Sequence, residues 1–216
     1  MIDLYTWSTP NGRKVSIALE EMKLDYRVHT IDIGKDEQFS PDFLKISPNN
    51  RIPAIFDRDT GLSIFESGAI LMYLAEKSGK FWPHTPGEKW EVVQWLMWQM
   101  GGPGPMLGQV HHFVAFNPGK SAYAEERYLK EGNRLYVVLD KRLADREFVA
   151  GDYSIADMAI WPWFSSFRRQ TIDMNAYPNV KRWYLAIADR PAVQRGFAVP
   201  DLTGHVANFT KTIDRP

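Results

Sequence analysis

The chain has 216 residues, 44% of them hydrophobic and 24% charged, with 26 basic against 26 acidic side chains. That composition suits a globular protein of one large or two small domains and gives no electrostatic footprint for nucleic acid or an anionic membrane. No apolar run reaches the roughly 20 residues of a membrane span, the opening MIDLYTW carries Asp3 where a signal peptide needs basic residues, and cysteine is absent, so sulfur chemistry has to use a ligand's thiol; we read a cytosolic protein.

Met1 to Tyr5 starts a strand. Thr9-Pro10-Asn11-Gly12 follows, and a helix is expected from about Arg13 to Lys23, where Val15, Ala18, Leu19 and Met22 fall at helical spacing. Thr9 before Pro10 puts a hydroxyl at the cap and a proline in the first turn. Tyr26 to Asp32 is β-rich, and Pro41 to Ile46 suggests a short helix. Ser47 to Tyr73 then reads as a β-β-α unit. Ile52-Pro53 stands at the mouth of strand Ala54 to Phe56. Asp57 to Gly61 makes a turn, Leu62 to Phe65 returns, and Glu66-Ser67-Gly68 opens a helix over Ala69 to Lys77. The order β-α-β-α-β-β-α over residues 1–78 predicts a small α/β domain.

Ser78 to Gly87 holds two prolines and two glycines and reads as a linker, placed at 79–87. No strand pattern follows. Helices are expected at Glu88 to Met100, at Met106 to Phe113 beyond the break Gly101-Gly102-Pro103-Gly104-Pro105, and at Ser121 to Ala144. Ser154 with Asp157 three residues later forms a capping box, with Tyr153 and Met158 at the staple positions. The helix it opens is expected to reach about Arg168, bent by Pro162. Tyr177 to Asp189 and Pro191 to Ala198 complete an all-helical domain of residues 88–216, and Val199 to Pro216 is expected to be irregular.

Three segments narrow the pattern: Thr9-Pro10-Asn11-Gly12, Ser47 through Ala54 (SPNNRIPA) and Glu66 through Ile70 (ESGAI). With Gly108 through Phe113 (GQVHHF) and the Ser-Ile-Ala-Asp box, they resemble the cytosolic glutathione transferases, specifically the bacterial nu class and relatives of the nitrogen-regulator prion protein. The resemblance covers essentially the whole chain. It implies a thioredoxin-like domain on a helical domain that forms the acceptor site, usually as a homodimer. Positions 9 to 12 lack the Cys-x-x-Cys of redox thioredoxins.

Glutathione's thiol is only about a few per cent thiolate at neutral pH. Donors at a helix N-terminus stabilise the thiolate. Thr9 and Asn11 sit at such a position, and the resemblance gives them that role; a threonine that only caps and an asparagine that only fills a turn is the competing view. Tyr5 and Ser8 are rivals, because other classes use a tyrosine or serine near the end of the first strand. The resemblance further implies that Pro53 is cis and that Ile52 offers its backbone to the cysteinyl unit. Glu66 would take the γ-glutamyl ammonium, and Ser67 the adjacent carboxylate, although Ser67 could also be a plain N-cap. Gln38 and Arg51 are candidates for the glycine carboxylate. Arg51 stands where lysine is more usual, and Asp36-Glu37 brings two negative charges to a place where small neutral residues are commoner. Arg127 matches an arginine that reaches the ligand held mainly by the partner subunit.

His111-His112 cannot chelate one metal, since adjacent helical residues point about 100° apart. Met97, Trp98, Met100 and Met106 could line an acceptor pocket or simply pack. The expected activity is reduction of a small disulfide, with two glutathione molecules or one glutathione disulfide per site. A bound thiolate would attack the disulfide and a second glutathione would resolve the mixed disulfide. Conjugation or aryl-ether cleavage of an electrophile is the second expectation. A non-catalytic regulatory protein is the third, weakened because the chain starts at the first strand without an Asn/Gln-rich tract.

Overall fold

A computed structural model describes residues 1–200. They divide into two compact units, Met1–Trp82 together with the segment from Asp189, and Pro83–Ala188.

The first unit is built on four strands: β1 (Ile2–Thr6), β2 (Tyr26–Thr30), β3 (Ala54–Asp57) and β4 (Leu62–Phe65), in the spatial order β2-β1-β3-β4. β1 runs parallel to β2 and antiparallel to β3, and β4 is antiparallel to β3. Parallel pairing of β1 with β2 requires a crossover, which helix α1 (Pro10–Met22) supplies. Alternation along β1 sends Ile2 and Leu4 into the core on one face. Tyr5 lies on the other, its ring stacked on His29 and near Phe43 of α2 (Pro41–Ile46). Helix α3 (Ser67–Ser78) packs on α1.

Helix α1 starts at Pro10, three residues before the position expected from apolar spacing. The reason is local: Thr9 is extended and its Oγ1 accepts from the Gly12 N–H at 3.1 Å, so the helix is nucleated by its cap. Helix α3 likewise begins at Ser67 instead of Ala69, which moves the N-cap to Glu66.

The segment after Asp189 returns to this unit. The expected helical domain of residues 88–216 would instead include it. Its helix, numbered α9 in chain order (Pro191–Ala198), packs on α1. Ser16 Oγ donates to the Gly196 carbonyl at 2.6 Å, and a Cβ at Gly196 would lie 2.5 Å from the Ile17 Cα. Arg190 forks onto Glu21 at 2.6 and 2.9 Å, and the Arg13 guanidinium sits over the Phe197 ring. The remainder of the expected irregular tail, 201–216, lies outside the described residues.

The second unit is helical: α4 (Pro86–Gly101), α5 (Pro103–Val110), a π-helical segment (His111–Phe116), α6 (Ala122–Arg142), α7 (Ile155–Phe164) and α8 (Pro178–Ala188). Every residue of α7 is buried, so it forms the centre of this unit. The capping box is present. Asp157 accepts from the Ser154 N–H, and also from the Val149 N–H and the Trp183 Nε1–H, tying the loop before α7 to α8. Tyr153, expected at a staple position, packs its ring on Phe148. Helix α7 stops at Phe164 and does not reach Arg168. The carbonyls of Pro162 and Trp163 are taken by Ser165 Oγ and Gln170 Nε2, at 2.8 Å each, which satisfies the helix end with side chains.

Candidate functional site

The sheet register gathers the candidate motifs. Tyr5 faces Ala54 across β1 and β3, and Ala54 faces Phe65 across β3 and β4. The residues just beyond those positions are Trp7 to Thr9, Ile52-Pro53 and Glu66-Ser67. Three stretches that are up to sixty residues apart in sequence therefore leave the sheet at the same end.

At the first of them, Thr9 does cap α1. A hydroxyl has one proton and two lone pairs, so the cap occupies an acceptor site and leaves the proton to donate elsewhere. Capping and thiolate donation are compatible. Asn11 is half-buried in the first turn. Gly12 permits the close approach of this turn to the strand end: a Cβ there would lie 2.4 Å from both Thr6 Oγ1 and the Trp7 carbonyl. Of the two rivals, Ser8 is exposed and its Oγ accepts from Arg13 Nη2 at 3.0 Å. Tyr5 lies inside β1, and burial pushes its phenol up, away from the ionised form.

At the second, the Ile52–Pro53 bond is cis. Ile52 lies outside the sheet pairing, and among the described residues its N–H and C=O make no hydrogen bond. Ser47, fully buried, donates its hydroxyl to the Arg51 carbonyl at 2.8 Å and so fixes the turn in front of Ile52. The Arg51 side chain is exposed. Gln38 Nε2 donates to Asp36 Oδ1 at 3.3 Å, whereas Gln38 Oε1 is buried without a partner among the described residues. Asp36 and Glu37 are turned into local work. Asp36 holds Gln38, and Glu37 Oε2 accepts from the Asp32 N–H at 2.7 Å.

At the third, Glu66 adopts a left-handed φ of 71°, unusual for a side-chain-bearing residue. It is the N-cap of α3 but makes no side-chain cap. Ser67 is thus the first helical residue and not the N-cap. Its Oγ accepts from Lys14 Nζ at 3.2 Å, and both residues are buried. Lys14 belongs to none of the motifs that mark the site in the sequence. Burial pushes its ammonium down to about 7, with the Glu66 carboxylate pulling the other way. No local pattern marks Lys14, because its burial depends on which elements pack against α1.

Arg127 lies in the second unit, exposed on α6. It borders an open groove of about 660 Å³ together with Met106, Tyr123, Tyr128, Glu131 and Arg134. Of the other residues considered for an acceptor pocket, Met97 is exposed and Trp98 packs edge-on against Trp95. His111 is buried, stacked on Trp163, and its Nε2 meets Gln170 Nε2, whereas His112 is exposed. Burial pushes His111 down to about 4, so its ring is neutral and accepts the amide proton. Among the described residues no three of His, Asp or Glu are grouped closely enough to hold a metal ion, and no helix is long and apolar enough to cross a membrane.

Known proteins resemble this chain in sequence and in fold. Residues 1–76 match the glutathione S-transferase N-terminal domain and residues 104–191 the C-terminal domain. The chain is 55% identical over 198 residues to the disulfide-bond oxidoreductase YfcG of Escherichia coli, a span of 89% of this chain and 92% of that one. A glutathione transferase from Pseudomonas putida, solved with one glutathione disulfide per subunit, is 44% identical with a TM-score of 0.88, over 92% of this chain and 91% of that one. One from Burkholderia graminis, solved with two glutathione molecules per subunit, is 42% identical with a TM-score of 0.87, over 93% and 89%. The chain belongs to the glutathione S-transferase family.

Proposed function

We propose that this protein is a glutathione-dependent disulfide-bond reductase. The observation that carries this is the convergence of a capped helix turn, an unpaired backbone at Ile52 and an uncapped helix N-terminus at one end of the sheet. Each suits a different part of a γ-glutamyl tripeptide. The donor set fits. Glu66 takes the ammonium, and Ser67 with the first N–H groups of α3 takes the adjacent carboxylate, aided by the helix dipole. Ile52 pairs with the cysteinyl backbone, and Gln38 and Arg51 serve the glycine end. Thr9 and Asn11 donate to the sulfur and favour its thiolate.

Glutathione supplies both sulfurs of the exchange, because the chain has no cysteine. One thiolate displaces a thiolate from the substrate disulfide, and a second glutathione releases the remaining half. The near neighbours in sequence and structure support this reading, one by its disulfide-bond oxidoreductase name and two by bound glutathione disulfide or paired glutathione. The cytoplasm is the expected setting, since a reducing pool regenerates the cosubstrate. We assign the choice of acceptor to the helical residues from 88 onward. We assign Arg127 to a glutathione held mainly by a second copy in a homodimer.

The test is turnover of bis(2-hydroxyethyl) disulfide by the purified protein with glutathione, followed through NADPH-coupled glutathione reductase. Acceleration above the uncatalysed rate is expected. Absence of acceleration alongside conjugation of chlorodinitrobenzene would replace the reading with carbon-electrophile chemistry. Absence of any glutathione binding by calorimetry would replace it with a regulatory role.

A further inference from the structure

Lys14 is the residue at this site that the assigned roles leave unexplained. It is 1% exposed, and its ammonium lies behind the first residue of α3 with Nζ 3.2 Å from Ser67 Oγ. A charged lysine has three donors and no lone pair, so its bond to Ser67 runs one way only. Ser67 must accept, and its own proton is then turned elsewhere. A neutral amine can also accept, and then the serine proton can be lost to Lys14.

We propose that Lys14 is a positioning residue for glutathione: its charged form commits Ser67 Oγ as an acceptor, presents the serine proton to the glutamyl carboxylate, and is favoured when that carboxylate binds. The inference rests on the glutathione reading above and adds a proton to the binding equilibrium.

The surrounding charges make the coupling specific. At the N-cap of α3, the Glu66 carboxylate favours the charged form of Lys14 through its charge. From α9, Arg190 and Arg195 are paired with Glu21 and Glu20. On α1, Arg13 bonds Ser8 and lies over Phe197. In the sheet, Asp3 is paired with Arg58, and Asp57 with Lys77. Burial disfavours the charged form of Lys14 in the free protein and pushes its ammonium down to about 7. A ligand carboxylate at Ser67 adds a negative charge close by and pulls the equilibrium toward the charged form. Binding near neutral pH then takes up protons.

The experiment is calorimetry of S-methylglutathione binding at about pH 7, in buffers of different ionisation enthalpy. The thioether carries no proton, so thiolate formation cannot mask the signal. We expect net proton uptake in the wild-type protein, lost in Lys14→Met, with affinity reduced about tenfold in that variant. In the Ser67→Ala background, Lys14→Met should cause little further loss, because the two act as a unit. Wild-type binding without proton uptake overturns the proposal and needs no variant to fold. Additive losses in the Lys14–Ser67 cycle overturn it too, since a lysine that only fills the core would behave independently of Ser67. Failure of the wild-type protein to bind S-methylglutathione is a different outcome, and would overturn the glutathione reading and this proposal together.

Discussion

Helices α1 and α3 both begin at the same end of the sheet, yet only α1 is closed by its own side chain. Thr9 is extended, accepts from the Gly12 N–H and leaves one hydroxyl proton outside. Glu66, at the same position of α3, has a left-handed φ, makes no cap and sends its carboxylate outward. Glu66 therefore does not close the α3 end with its own side chain as Thr9 closes the α1 end. A closed helix end with a spare proton suits a small, singly charged atom such as a thiolate sulfur. An uncapped one suits a carboxylate, which has lone pairs enough for several donors. On the proposed glutathione reading, the buried lysine behind α3 places a cation, out of water's reach, at the end that would hold an anion.

The largest effect should come from closing the space that lets the α1 turn approach the strand. Gly12→Ala puts a Cβ 2.4 Å from the Trp7 carbonyl, a backbone atom that cannot step aside. We expect a loss of about 3 kcal/mol in urea unfolding; unchanged stability would mean the turn is not tightly packed.

Removing donors from the α1 end should separate chemistry from binding. Asn11→Ala is expected to lower kcat about 100-fold with glutathione affinity and stability kept. Thr9→Ala should show a similar kcat loss plus about 1 kcal/mol of stability, because it also removes the cap. If Thr9→Ala loses only stability, the residue is a cap and nothing more.

The α3 end should behave in the opposite way. Ser67→Ala is expected to weaken glutathione binding about tenfold in calorimetry and leave kcat at saturation nearly unchanged. A kcat loss with intact affinity would erase the contrast between the two helix ends.

The smallest effect is one that both ends share, since both hang on the same sheet. Arg58, bonded to Asp3 on β1, holds that carboxyl down at about 2, with His29 assisting against the opposing effect of burial. A depressed carboxylate stabilises the fold above its unfolded pKa of 3.8. That contribution is lost as pH falls toward 2. Thermal unfolding between about pH 4 and 2 should show it, and Asp3→Asn should flatten that part of the curve.

Much of the fold is legible in the residues because short-range chemistry writes it. The Thr-Pro pair, the period of Val15 to Met22, the turn at Asp57 to Gly61 and the Ser154–Asp157 box each settle a local structure from neighbours alone. The three motifs are legible as candidates for one tripeptide site, because their residue types suit its parts. What neighbours cannot write is who packs on whom. Lys14 looks like any solvated helix lysine until α3 and α9 both cover α1. The helix Pro191–Ala198 looks like part of the helical domain until Gly196 is seen against the Ile17 backbone. Ser67 reads as a cap until Glu66 takes that place with a positive φ.

The sequence by itself determined the element order, the family resemblance and the candidate residues for each part of glutathione, because these rest on spacing and side-chain chemistry. Only the tertiary structure decided that three separated motifs leave the sheet at one end, and that a lysine is buried behind one of them. Strand register and burial depend on contacts between residues far apart in the chain, and no local pattern carries that information.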